Sequence, residues 1–289
     1  MRPRIAIPLP HGGDPEYAER AIPQYERAVE LSGGEAVRIP LDRTPAEVMK
    51  MIERCDAAAL PGSKADVDPA KFDATRHPKT EPADPLRDTV DELLLQDAYN
   101  MRKPVLGICY GLQILNVYRS GDLLQHIESS VNHEAGRKIT VAHEVKIEAG
   151  SKLAEILAGV DRLGQPRGLT GRGSGNGTSR ASLDTGGLDT RHHTGLAAPY
   201  IIAVNSSHHQ AAGDVIGDGL KVVGRCPEDN IIEALEGTSP DHFVLAVQWH
   251  PERSFDEDPH SRAIFSALVE AARQKHKELS GEFEASEKL

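Results

Sequence analysis

A chain of 289 residues that is 39% hydrophobic and 27% charged is long enough to bury a sizeable core, in one large domain or two small ones, and a single domain fits better. The formal net charge of −11 speaks against nucleic acid or an anionic membrane as partner, since phosphate binding needs a basic face. Three cysteines without paired spacing exclude a disulfide framework, and the apolar start of the chain is too short for a signal peptide, so a cytoplasmic protein is expected.

Residues 4–8 read as the first strand. Over 15–32, Ala18, Ala21, Ile22, Tyr25, Ala28 and Val29 share one helical face that stops at Gly33-Gly34, but Pro23 lies inside the pattern, so the main helix is expected to begin there. Residues 36–39 and 56–60 read as the next strands, separated by a helix over about 45–54. From Leu86, the apolar positions Val90, Leu93, Leu94, Ala98 and Met101 form a helical stripe that Lys103-Pro104 ends.

The following apolar run stops at Cys109, with Gly107 and Gly111 two residues to either side. A lone cysteine in such a setting is ordinarily a small buried hydrophobe. The flanking glycines point elsewhere: a sharp strand-to-helix turn crowds its own backbone, and residues without a Cβ are what such an elbow needs. A sulfur held at the first turn of a helix is expected to gain thiolate character from the helix's positive end and to attack carbonyl carbon. Residues 112–118 then read as a buried helix closed by Gly121.

Beyond this point the pattern shifts to short strands, at 138–141, 144–147, 201–204, 220–224, 231–235 and 243–247, some of them antiparallel. A final amphipathic helix over about 259–277 places Ile264, Phe265, Leu268 and Ala272 inward and precedes a polar, frayed tail at 280–289. The glycine-, serine- and threonine-rich stretch at about 164–195 cannot bury enough apolar surface to offset its ordering entropy and reads as a flexible insertion. It is not a phosphate loop, because no Gly-Lys-Ser/Thr follows a strand there.

After the strand at 243–247 comes Gln-Trp-His250-Pro-Glu252. If the chain stays extended, residues two apart face the same side, so Glu252 reaches one nitrogen of His250 and leaves the other for Cys109. Cysteine, histidine and carboxylate so related form an acyl-transfer triad, which is defined by roles and not by chain order. No metal is expected: His143-Glu144 would open a zinc helix motif only with histidine at 147, which is Ile147, and His192-His193 lies in the insertion. His208-His209 follows the strand at 201–204, where α/β sites gather residues, although polar capping accounts for them equally well.

Taken together, Leu-Pro-Gly62-Ser63, Asp66-Val-Asp-Pro, Arg87-Asp88, Gly-Ile-Cys109-Tyr110-Gly-Leu-Gln113, Asn205-Ser206-Ser-His208-His-Gln and Gln-Trp-His250-Pro-Glu252 resemble the class I glutamine amidotransferase-like superfamily, most closely its γ-glutamyl-γ-aminobutyrate hydrolases. The resemblance covers nearly the whole chain except the insertion and the last ten residues. It implies a flavodoxin-like three-layer α/β/α sandwich with a mostly parallel sheet, spanning residues 1–279 as one domain, and hydrolysis of γ-glutamyl amide bonds, in some members within putrescine breakdown. By position, Cys109 would be the nucleophile, His250 the base and acid, and Glu252 the orienting carboxylate. The backbone N–H groups of Tyr110 and of Gly62 or Ser63 would form the oxyanion hole, and Gln113, Asn205, Ser206 and His208 would contact substrate. Tyr110 stands where these hydrolases usually carry arginine, which bears on substrate identity more than on mechanism. The resemblance implies no cofactor and a small γ-glutamyl substrate as partner, with no nucleic acid or membrane; a homodimer is left open. Three rivals remain: a glutaminase subunit serving a separate synthetase, a hydrolase of another γ-glutamyl peptide, and a non-catalytic relative.

Overall fold

The computed structural model describes residues 1–164 and 200–281, so the insertion expected at 164–195 and the tail expected at 280–289 fall almost wholly outside the described residues. In chain order the elements are β1 (Arg4–Pro8), α1 (Pro15–Leu31), β2 (Glu35–Ile39), α2 (Pro45–Ile52), β3 (Ala57–Leu60), α3 (Pro85–Met101), β4 (Val105–Ile108), α4 (Tyr110–Tyr118), β5 (Leu123–Leu124), β6 (His143–Ile147), α5 (Lys152–Gly164), β7 (Tyr200–Val204), β8 (Ala211–Ala212), β9 (Leu220–Arg225), β10 (Ile232–Gly237), β11 (Val244–Val247), α6 (Pro251–Ser254) and α7 (Pro259–Ser280).

Nine strands make one sheet in the order β2-β1-β3-β4-β11-β10-β9-β6-β7, and β5 pairs separately with β8. The pairings from β2 to β11 are parallel, and those from β11 to β7 antiparallel. A parallel order of 2-1-3-4 and then one further strand is that of the flavodoxin-like class, whose sites form at the carboxyl ends of the strands. Buried strands with alternating faces feed two cores. Ile5 and Ile7 pack with α1, α5 and α7 on one side, and Ala6 packs with α2, α3 and α4 on the other. The layers are therefore helix, sheet, helix, as expected. No helix among the described residues is long and apolar enough to cross a membrane.

Four local expectations are corrected. The first helix does not restart at Pro23: α1 runs unbroken through it. An interior proline costs roughly 3 kcal/mol, whereas burying side chains such as Ile22, Tyr25 and Val29 contributes about 1.5–3 kcal/mol each. The Asp14 side chain, accepting from the Tyr17 N–H, also fixes the helix start. Residues 138–141 form no strand; the Ile139 N–H turns back to the Gly136 carbonyl, and Ile139 and Val141 stay exposed. The chain joins the sheet only where His143 pairs with Val204. Helix α5 was not foreseen, although Ser151 caps it, accepting from the Ala154 N–H, and Leu153 and Leu157 supply its buried face. Finally, the chain does not stay extended after β11: His250 caps the single-turn helix α6.

Candidate functional site

Three neighbouring strands deliver the site. Leu60 of β3 pairs with Gly107 of β4, and Ile108 of β4 with Val247 of β11. The segments leaving these strands, Pro61-Gly62-Ser63, Cys109 and Gln248-Trp249-His250, therefore emerge side by side at one edge.

Cys109 sits at φ 55° and ψ −106°, outside the regions L-residues ordinarily occupy. Such a backbone persists only where its surroundings over-determine it. A Cβ on Gly107 would lie 2.7 Å from the Gly111 carbonyl oxygen, and one on Gly111 would lie 2.2 Å from that of Leu60. The elbow glycines are thus required by close backbone approach, as the spacing suggested.

Cys109 and His250 converge on Gly62: a Cβ there would meet His250 Cε1 at 2.9 Å and Cys109 Cβ at 3.5 Å. The His250 Nδ1–H donates to Glu252 Oε1 at 2.8 Å, and both side chains are buried. Nε2 of His250 has no hydrogen-bond partner among the described residues. The premise for this contact changes, since Glu252 reaches His250 from the first turn of α6 and not along an extended strand. Asn205 clamps the His250 backbone from both ends, accepting from its N–H at 3.0 Å and donating to its carbonyl at 2.9 Å.

The electrostatics differ from the expectation of a ready thiolate. Burial pushes the Cys109 thiol up to about 12, although the Arg253 charge and the Tyr110 N–H facing the sulfur pull it back. Burial likewise pulls His250 below the ordinary imidazole value, against the opposing carboxylate of Glu252. Burial pushes Glu252 upward, but the imidazole beside it outweighs this and holds the carboxyl below its usual range. Burial thus favours the uncharged form of both groups, thiol and imidazole.

Cys109, Tyr110, Ser63, Gln113, His208 and His250 all line one cleft of about 600 Å³, whose lining also includes Arg20, Lys64, Lys79, Arg137 and Arg253 together with Asp66, Glu81 and Glu134. Of the two backbone donors considered in the β3 loop, the Gly62 N–H is already given to Tyr25 Oη at 3.1 Å. The Ser63 N–H donates to no backbone carbonyl among the described residues. Gln113 donates to the Gln210 carbonyl at 3.0 Å from the cleft wall. Two expected substrate contacts do not border the cleft. Asn205 is occupied with the His250 backbone, and Ser206, fully buried, donates its hydroxyl to the His133 carbonyl at 2.6 Å. The Tyr110 side chain is buried too, its hydroxyl donating to Asp88 Oδ1 at 2.6 Å.

Next to this cleft the fold assembles something that spacing tests on the sequence missed. His133, His143, His208 and Glu233, all buried, bring ligand-type atoms within 4.8 Å of one another. They come from four separate segments, so no local motif announces them. Arg253 also escaped notice, and Tyr25 was read only as part of the apolar face of the first helix, not as the acceptor for the Gly62 N–H.

Residues 10–163 and 180–252 match the family model described as peptidase C26. A Mycobacterium tuberculosis protein, Rv2859c, provisionally named a glutamine amidotransferase, is 33% identical over 86% of this chain, which spans 66% of that relative's length. The γ-glutamyl-γ-aminobutyrate hydrolase PuuD of Escherichia coli K12 is 26% identical over 86% of this chain and 85% of its own. Among solved structures, the glutaminase domain of Trypanosoma brucei CTPS matches with a TM-score of 0.56 at 15% identity, covering 94% of each chain, a likeness of fold.

Proposed function

The chain belongs to the peptidase C26 family of glutamine amidotransferase-like proteins, and from that premise we propose that it is a cysteine hydrolase of γ-glutamyl amide bonds, with γ-glutamyl-γ-aminobutyrate as substrate. The observation that carries this reading is a nucleophile-type cysteine on a strained elbow, set against a buried histidine–glutamate pair at the floor of an open cleft.

In the proposed reaction Cys109 Sγ attacks the γ-carbonyl carbon as its proton passes to His250 Nε2. The oxyanion takes hydrogen bonds from the N–H groups of Tyr110 and Ser63, a donor pair whose loss of one member costs typically about 10²–10³ in rate. His250 then gives its proton to the departing amine, leaving a glutamyl thioester, and next deprotonates the water that releases glutamate. Glu252 holds the imidazole in the tautomer that keeps Nε2 free to accept. Charges of both signs around the cleft suit an aminoacyl moiety bearing ammonium and carboxylate, and the basic side chains suit a leaving amine with its own carboxylate.

Purified protein should therefore release glutamate from γ-glutamyl-γ-aminobutyrate with kcat/KM at least tenfold above that for glutamine or a γ-glutamyl dipeptide. Preference for glutamine would move the reading to a glutaminase subunit, and preference for the dipeptide to a general γ-glutamyl hydrolase.

The acid side of the pH profile follows from His250. Because burial holds its pKa below about 6.5, the base is neutral and competent above that value, and kcat/KM should decline only as pH falls through a midpoint below it. Glu252 acts to raise this pKa. Glu252→Gln should therefore shift the acid limb to still lower pH while reducing kcat by roughly 10²–10⁴. An acid limb that moves upward in the variant would contradict the assignment of Glu252 as the partner of His250.

A further inference from the structure

Glu233 lies in β10 where the pairing with β9 slips between Ile232 and Ala234, a bulge that turns its side chain into the protein, where it is fully buried. Neither carboxylate oxygen has a hydrogen-bond partner among the described residues. Around Oε1 stand three imidazole nitrogens: His133 Nδ1 at 3.3 Å, His143 Nε2 at 3.4 Å and His208 Nε2 at 3.4 Å. All three nitrogens are buried and none is aligned in a hydrogen bond. A fully buried carboxylate facing three imidazole nitrogens without one aligned hydrogen bond is a costly arrangement unless a positive charge, on an imidazole or on a bound ion, sits among them.

From this convergence we propose that His133, His143, His208 and Glu233 form a structural binding site for a divalent transition-metal ion of the zinc type. The three carboxylate-to-imidazole separations fit, since ligand atoms about 2.0–2.1 Å from a tetrahedral zinc ion stand about 3.3–3.4 Å apart. The outer ring nitrogens fit as well. His133 Nε2–H donates to Asp229 Oδ2 at 2.8 Å, His208 Nδ1–H to the Gln210 carbonyl at 2.9 Å, and His143 Nδ1–H to the Glu144 carbonyl at 3.2 Å. Each of these bonds fixes the tautomer that leaves the inner nitrogen's lone pair for a metal, and the carboxylate–histidine pair is the usual support of a zinc ligand. Asp229 is in turn held by the Ser129 hydroxyl at 2.5 Å.

Four protein ligands close the coordination shell, which marks a structural ion and not a catalytic one. Its effect would fall on the neighbouring cleft through the chain itself. His208 and Asn205 share the loop after β7, and Asn205 clamps the His250 backbone. An ion bound to His208 on that loop and to His143 and Glu233 in the sheet would hold the catalytic histidine in register without touching substrate.

The test is metal analysis of the full chain, purified without chelators or a histidine tag, supplied with Zn²⁺ and dialysed. We expect one zinc ion per chain. Cys109→Ser should retain it, His143→Ala and Glu233→Gln should fall below a tenth of an ion, and Asp229→Asn should bind about 10–100-fold more weakly. X-ray absorption on the wild-type protein should show a sulfur-free shell rich in imidazole, which decides the matter even where a ligand variant does not fold. Wild-type protein that retains less than a tenth of an ion, sulfur in the shell, or zinc lost with Cys109 and kept without His143 would each overturn the proposal.

Discussion

Replacing Cys109 with alanine is expected to lower glutamate release from every γ-glutamyl amide by at least about 10⁴-fold, because the remaining oxyanion donors and binding contacts cannot form a thioester. The fold should survive. Alanine keeps the Cβ and removes only one sulfur atom. A second substitution separates chemistry from strain. The backbone at φ 55° penalises any residue with a Cβ by an amount on the order of 1–3 kcal/mol, so Cys109→Gly should be equally inactive yet at least as stable as Cys109→Ala in thermal or denaturant unfolding. That result would identify the elbow as a place where stability is given up for function. Retention of wild-type turnover in Cys109→Ala would remove the nucleophile from the proposed reaction, and a glycine variant clearly less stable than the alanine one would remove the strain.

The parts of this molecule legible in the sequence are those governed by short-range rules. Gly107 and Gly111 announced the elbow because backbone crowding acts within a few residues, and the alternation of apolar runs announced the parallel half of the sheet. His250 and Glu252 were legible as a pair for a reason that proved incomplete: proximity in sequence brought them together, but through a helical turn instead of an extended chain. Asn205 was singled out as a substrate contact and not for its hold on the His250 backbone, which depends on the loop after β7, a strand at the sheet's far edge, reaching back to the exit of β11. The His133, His143, His208 and Glu233 cluster was invisible because its members meet only through antiparallel pairing and a bulge. Burial was equally hidden, and it pushes the Cys109 thiol upward, against the thiolate character expected of a sulfur at a helix terminus.

Arg87→Ala should destabilise the protein by about 3–5 kcal/mol, because it strands a buried carboxylate. Arg87 and Asp91 are both fully buried, with Nε 2.8 Å from Asp91 Oδ2. The same guanidinium donates to the carbonyls of Pro61 at 2.8 Å and Pro10 at 3.1 Å and lies over the Tyr110 ring, 5.0 Å from its centre. One cation thus ties the loops after β1 and β3 to the first turn of α4, which is why the effect should reach the cleft: Pro61 precedes the two residues considered for the oxyanion hole. For a chain of this size the loss corresponds to a fall in Tm on the order of 10 °C. Arg87→Lys should recover only part of it, since a single ammonium cannot serve Asp91 and two carbonyls with the geometry of a planar fork. The pH dependence gives an independent check. Burial pushes the Asp91 carboxyl up to about 6 even with Arg87 opposing it, so without Arg87 its folded-state pKa must rise further. Between about 6 and that higher value the folded variant binds a proton that the folded wild type and both unfolded chains have released, so the variant's stability falls with rising pH while this contribution in wild type is flat. The stability gap between the two proteins should therefore be wider at pH 8 than at pH 6. A gap that is the same at both values would mean that Asp91 finds another partner once Arg87 is gone.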